Sequence, residues 1–179
     1  LKVDTRKALL QSARKAFAER GYAATSLEDL ARTLGMTKAA VYHHFPSKRA
    51  LLEALLEEGA SEAEKALSSP GPLYDRLLAV GMAYRNQVEP LSAVITSQSG
   101  RRGSDQEAVR LAEAAMKQGL QKVGGLLEQV CPNHGQALAV VFASIVHGIY
   151  MIAGHLPGYP LEPLLQEGIG VFVRGLPKA

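Results

Sequence analysis

Gly35 and Pro46 bracket the ten residues Met36 to Phe45 and impose the tightest local constraint in this 179-residue chain. The glycine supplies a turn position open to positive φ, and the proline disfavours a helical residue before it and cannot continue one. A helix capped by Thr37 is therefore held to about two turns. Upstream, TSLEDLARTL (Thr25 to Leu34) sets Leu27, Leu30, Ala31 and Leu34 on one helical face, and Thr25 three residues before Glu28 predicts a capping box. A longer stretch from Thr5 to Arg20 repeats Leu10, Ala13 and Phe17 at helical spacing and is stopped by Gly21. Two short amphipathic helices joined by a glycine turn, behind a longer one, read as a helix-turn-helix.

The third helix divides by face. Val41 and Phe45, four apart, form an inward stripe with Leu30, Leu34 and Phe17, whereas Lys38, Ala39, Tyr42 and His43 fall outward. A short helix that is slim at its first turn fits a major groove about 12 Å wide, where Lys, Tyr and His reach phosphates and base edges. Lys48 opens the next helix, and the free N–H groups there also favour a phosphate. On spacing alone, Tyr42, His43 and His44 would equally serve to cover a small core. Charge adds to the first reading: residues 1–50 hold ten Lys and Arg against four acids, a net +6, while the rest of the chain sums to −3. A basic head on a mildly acidic body suits a polyanion partner, a solvated basic surface being the alternative.

The remainder reads as helical, because Leu, Ala and Glu dominate and β-branched runs are scarce. Ser47 caps a helix from about Lys48 to Leu67, SSPGP (Ser68 to Pro72) breaks it, and further helices are expected near Leu73–Val88, Leu91–Gln98, Asp105–Val130, Gly135–Leu156 and Leu161–Arg174. Val109, Ala112, Met116, Leu120, Val123, Leu127 and Val130 form the inward stripe of the longest. The expected fold is all-α: a three-helix head over residues 1–47 and a helical body over 48–179. Ala137 to Leu156 carries no Asp, Glu, Lys or Arg and is long enough to cross a bilayer. Its two histidines, its small residues and the lack of a flanking Lys/Arg cluster favour a buried, interface-forming helix and no membrane partner.

Cys131 is the single cysteine, which excludes an internal disulfide, and the charge-rich start lacks the apolar stretch of a secretory signal; a reducing cytoplasm is expected. No G-x-S-x-G, P-loop, H-E-x-x-H or dinucleotide glycine fingerprint is present, so no enzyme is expected. Cys131 with His134, and His147 with His155, fall short of the four well-spaced ligands of structural zinc, so neither metal nor cofactor is expected.

GYAATSLEDLARTLGMTKAAVYHHFPSKRALL, Gly21 to Leu52, resembles the DNA-binding region of the tetracycline-repressor (TetR) family of bacterial transcriptional regulators. The resemblance lies in the aromatic after glycine, Thr-Ser before the second helix, the Leu-Ala and Leu-Gly of the turn, the Tyr-x-His-Phe ending and the Ser-Lys helix start. It implies that Thr25, Ser26, Thr37, Lys38, Ala39, Tyr42, His43 and Lys48 contact double-stranded operator DNA. Ala39 departs from the glycine of many members, and its methyl would alter a base contact or touch a thymine methyl. The resemblance further implies a helical ligand-binding body, homodimerisation through the last two long helices and repression relieved by a small molecule.

Within that frame, Ala139 and Ala143, with Leu165, Gly168, Ile169 and Phe172 on one stripe, are the expected dimer interface. Two-fold pairing would set two recognition helices on successive major-groove turns, about 34 Å apart. The effector pocket is expected among Tyr84, Arg85, Val88 and Ile95, Met116 and Leu120. Phe142, Val146, His147, Tyr150 and Met151 complete it. These mostly apolar residues favour a lipophilic or aromatic effector. Arg101 and Arg102 would attract an anionic portion such as the phosphates of an acyl-coenzyme A, a solvated loop being the alternative. The competing reading from another class is a helical lipid-binding protein or enzyme whose basic head docks on anionic surfaces.

Overall fold

The structure, a computed structural model, describes residues 4–95, 106–155 and 158–177, and their side chains outside 85–95 and 154–155. Among these residues the chain is all-helical: α1 (Thr5–Arg20), α2 (Leu27–Thr33), α3 (Lys38–His44), α4 (Lys48–Ser68), α5 (Leu73–Ile95), α6 (Gln106–Glu128), α7 (Gly135–His155) and α8 (Leu161–Arg174). Its contacts group into two units, one of Leu1–Glu58 with Asn86–Ala114 and one of Gly59–Arg85 with Ala115–Ala179.

In the first unit each short helix begins on a side-chain cap. The Asp4 carboxylate accepts from the backbone N–H groups of Arg6 and Lys7, and Gly21, with φ +84°, ends α1 as its sequence position predicts. Helix α2 departs from expectation: its cap is Ser26, whose hydroxyl accepts from the Asp29 N–H at 3.1 Å and donates to the Asp29 carboxylate at 2.7 Å. The capping box therefore lies one residue later than the Thr25–Glu28 pair, because the Thr25 hydroxyl is engaged elsewhere. Thr37 caps α3 through the Ala40 N–H. Leu9, Ala13, Phe17, Leu30, Val41 and Phe45 are buried together with Leu51, Leu52 and Leu55 of α4, so the inward stripes of the sequence meet as expected. Arg14 of α1 also pairs with Glu58 of α4 at 2.9 Å.

The second unit packs around Leu67, Leu77, Val80, Val123, Leu127, Phe142 and Val146 with the α8 residues Leu165, Ile169 and Phe172. Two departures from the sequence reading concern helix limits. Helix α5 runs through Pro90 as one 23-residue element rather than two helices split there, since a proline forfeits one backbone bond and a long helix bears that loss. Helix α6 ends at Glu128, which leaves Val130 past its end and exposed; Met116 is exposed as well. Where α7 and α8 pack, Gly168 permits close approach: a Cβ there would lie 2.8 Å from Ile149 Cδ1.

The same packing uses most of the residues expected at the dimer interface. Ala139, Leu165, Ile169 and Phe172 are buried in the second unit's own core, and Ala143 and Gly168, the latter set against Ile149, are half-buried. The periodicity that marks a helix's apolar side does not say which apolar side faces inward when both are uncharged. Helix α7 has such a composition. Gly135–Ala153 is long and apolar enough to cross a bilayer, yet only its Ala139, Phe142 and Val146 side is buried, while Val140, Val141, Met151 and Ile152 stand exposed.

Candidate nucleic-acid interface

The outward face of α3 is open. Lys38, Ala39, Tyr42 and His43 are all exposed, and the Thr37 cap that precedes them is exposed too. Beneath them Val41 and Phe45 anchor the helix in the head's core, so a seven-residue element is held rigidly enough to present side chains at fixed positions. The Arg6 guanidinium lies over the Phe45 ring, 5.3 Å from its centroid.

The polar side chains of this face are tied to α2. Glu28 accepts from the Lys38 ammonium at 2.7 Å and from the Tyr42 hydroxyl at 3.0 Å, and the ammonium lies 5.4 Å from the centre of the Tyr42 ring. The Lys38 hydrogen bond is the main reason the Glu28 carboxyl falls from its ordinary 4.5 to about 2. Glu28 in turn raises both Lys38 and Tyr42 above their ordinary values. At neutral pH the cluster is a carboxylate, an ammonium and a neutral phenol. Sequence reasoning missed Glu28, having assigned it only to a cap; the available signal was that an acid one turn into α2 can meet the cations of α3 once the glycine turn folds the two together.

Besides Thr37, Lys38 and Tyr42, three more of the expected DNA contacts have structural partners. Thr25 is buried and its hydroxyl donates to the carbonyls of Gly21 at 2.9 Å and Ala16 at 3.3 Å, closing the α1–α2 connection. Ser26 is the half-buried α2 cap. The Lys48 ammonium donates to the carbonyls of Tyr22 and Ala23 at 2.8 and 3.3 Å and sits 4.3 Å from the centre of the Tyr22 ring. It ties the start of α4 to the loop before α2, a role its position in sequence did not reveal.

In the second unit, part of the expected effector set comes together. The Tyr84 hydroxyl meets His147 Nδ1 at 3.1 Å, the Tyr84 and Tyr150 rings are 5.5 Å apart, and the Tyr150 hydroxyl donates to the Gly81 carbonyl at 3.0 Å. Burial pushes the Tyr84 phenol up to about 12, so it keeps its proton and can donate to Nδ1 when the imidazole proton is on Nε2. Phe142 and Val146 are core residues, Leu120 packs against that core, and Met116 and Met151 are exposed. Arg85, Val88 and Ile95, with Arg101 and Arg102, lie outside the described side chains.

Comparison with known proteins agrees with this geometry. The family described as "Bacterial regulatory proteins, tetR family" matches residues 9–55, from within α1 to the start of α4. An uncharacterised HTH-type transcriptional regulator of Bacillus subtilis, YvkB, is 26% identical over 96% of this chain and 97% of its own. The HTH-type transcriptional repressor AcnR of Corynebacterium efficiens is 35% identical, over a match spanning 38% of this chain and 37% of that repressor. Among solved structures, the TetR-family regulator PfmR of Thermus thermophilus superposes with a TM-score of 0.64 at 26% identity, covering 95% of this chain and 99% of that one. The head's motif, the open face of α3 and a likeness to transcriptional regulators running nearly end to end agree with one another: residues 9–55 match the tetR family of bacterial regulatory proteins, and together the comparisons support a TetR-family regulator.

Proposed function

We propose that this regulator is a homodimeric repressor that binds a palindromic operator through α3 and is released by a small lipophilic or aromatic effector. The observation that carries the reading is the exposed Lys38, Ala39, Tyr42 and His43 face on a helix anchored by Val41 and Phe45. Phosphates would be met by Thr37, Lys38, Tyr42 and His43, and Ala39 would lie against a base edge. Thr25, Ser26 and Lys48 would support the interface by holding the two helix starts in place, whatever contact their backbone makes. The functional division remains a DNA-binding head of residues 1–47 and a ligand-binding, dimerising body of 48–179, working in the cytoplasm.

Dimerisation would use the uncharged outer face of α7, with Val140, Val141, Met151 and Ile152, and Val171 of α8, all exposed. An apolar surface of this extent on two adjacent helices needs a cover. The effector site would centre on Tyr84, His147 and Tyr150, two phenols and an imidazole on an apolar wall. An acyl-coenzyme A is one effector of this class, if Arg101 and Arg102 take its phosphates. An effector acts only by binding the state with low operator affinity more tightly.

Selection from random duplexes, followed by gel shift, tests the reading. It should return a two-fold symmetric site whose binding weakens steeply with salt. Equal binding to every duplex, or binding to anionic vesicles with no duplex preference, would overturn it in favour of a surface-docking head. Native mass spectrometry of the purified protein should reveal a retained small molecule, lost on Tyr84→Ala.

A further inference from the structure

We propose that Glu28 is a positioning residue that acts as an internal stand-in for phosphate: its carboxylate holds the Lys38 ammonium and the Tyr42 hydroxyl, and a DNA phosphate binds this face by displacing it. The inference rests on the reading of α3 as the DNA-binding helix. A single carboxylate receives both groups, at 2.7 and 3.0 Å, and the ammonium leans over the phenol ring. The three side chains come from two helices joined by the Gly35 turn, so their meeting is a property of the folded head and not of one helix's spacing.

Hydrogen-bond inventory decides what this costs DNA. Tyr42 has one O–H; while it donates to Glu28 it has no hydrogen to give a phosphate oxygen. Lys38 has three N–H groups, but its charge is already paired with the carboxylate. When a phosphate takes the ammonium, the freed Glu28 carboxylate gathers a cation in place of the one the phosphate gives up, and the net counterion release is reduced. Lys38 and Glu28 are both substantially exposed, at 66% and 41% of the side chain, so the pair is weak enough to exchange partners. A phosphate, with acceptor oxygens of its own, can replace the carboxylate at both groups at once. Glu28 thus sets how strongly the recognition helix responds to phosphate while keeping Lys38 and Tyr42 in place before DNA arrives.

The test is the salt dependence of binding to a scrambled duplex, measured by fluorescence anisotropy for the intact protein and for Glu28→Gln, which keeps the shape and the acceptor oxygen but loses the charge. The variant should bind more tightly at low salt and steepen the log–log slope by about one, an additional three- to fourfold loss between 50 and 200 mM salt. In a Lys38→Met background the same substitution should leave the slope unchanged. An unchanged slope for Glu28→Gln, weaker binding at every salt, or a steepening that persists without Lys38 would each overturn the proposal; the last would show a general charge effect. Thermal unfolding of each variant confirms that folded protein is compared. Because the scrambled duplex needs no operator, failure of the selection experiment would defeat sequence-specific repression and leave this measurement readable, whereas a normal operator with an unmoved slope defeats only the role of Glu28.

Discussion

At the scale of single residues, the polar side chains of the head separate into those that face outward and those that hold the head together, and the division differs from the one motif matching gives. Thr25 is the clearest case. Its buried hydroxyl donates to the Gly21 and Ala16 carbonyls, so Thr25→Val should lower stability by about 1–2 kcal/mol in urea unfolding, with DNA affinity unchanged per folded molecule. Lost affinity at unchanged stability would restore the direct contact. Sequence spacing identified Lys38, Ala39, Tyr42 and His43 as outward because that needs only helical geometry. It could not identify that Thr25 reaches Ala16, Lys48 reaches Tyr22 and Glu28 reaches Tyr42, because these partners are 9, 26 and 14 residues away and depend on the completed turn. Glu28 also gives a pH prediction. Its carboxyl is depressed to about 2, so its stabilising contribution is complete above the unfolded value near 4.5 and is lost as pH falls toward 2. The difference in thermal unfolding between the wild type and Glu28→Gln should therefore be flat from about pH 6 to 8 and shrink below about pH 4.5. A difference that changes between pH 6 and 8 would assign the effect to another group.

At the scale of elements, local signals located ends well and continuities poorly. Gly21 ends α1 as expected, and α8 runs over Leu161–Arg174, the range expected from the sequence. Pro90 gave a false stop. Proline is a strong breaker only where nothing else holds the helix, and α5 has packed residues on its N-terminal side, Leu77 and Val80, to carry it. The α6–α7 connection carries no helical pattern in sequence, yet it is organised: the Glu128 carboxylate accepts from the backbone N–H groups of Asn133 at 2.6 Å and Gly135 at 2.8 Å. Two glycines at this junction should respond differently to a methyl. At Gly135 a Cβ would lie 2.4 Å from the Gly124 carbonyl oxygen and 2.6 Å from the Glu128 nitrogen, both backbone atoms. Gly135→Ala should therefore cost about 1–3 kcal/mol in denaturant unfolding. At Gly124 the Cβ meets only the end of the Gln136 side chain, which can swing away, and alanine favours a helix interior, so Gly124→Ala should be neutral or slightly stabilising. Equal losses at both positions would mean that the close approach is not what these glycines provide.

At the scale of the whole molecule, the apolar balance of α7 ties fold to assembly. A helix with no charge from Gly135 to His155 can be buried all round, placed in lipid or shared between chains. The second unit buries its Ala139, Phe142 and Val146 side and leaves Val140, Val141, Met151 and Ile152 outside, with Val140 53% exposed and Ile152 49%. The sequence stripe pointed to the buried side as the interface, because burial within a chain and burial between chains select the same residue types. In the proposed dimer, an aspartate at Ile152 would sit in the shared face and would have to be desolvated without a partner, so Ile152→Asp should leave the monomer folded and prevent pairing. Exposed in the single chain, the position costs that chain little on substitution. Sedimentation equilibrium should then show a monomer of about 19 kDa in place of a dimer. One head grips only half of a symmetric site, so operator affinity should retreat to the roughly micromolar or weaker range of non-specific binding, while the affinity of each head for a scrambled duplex should hold. A variant that stays dimeric would place the interface on another surface, and a monomer that still binds the operator tightly would show that a single head reads it.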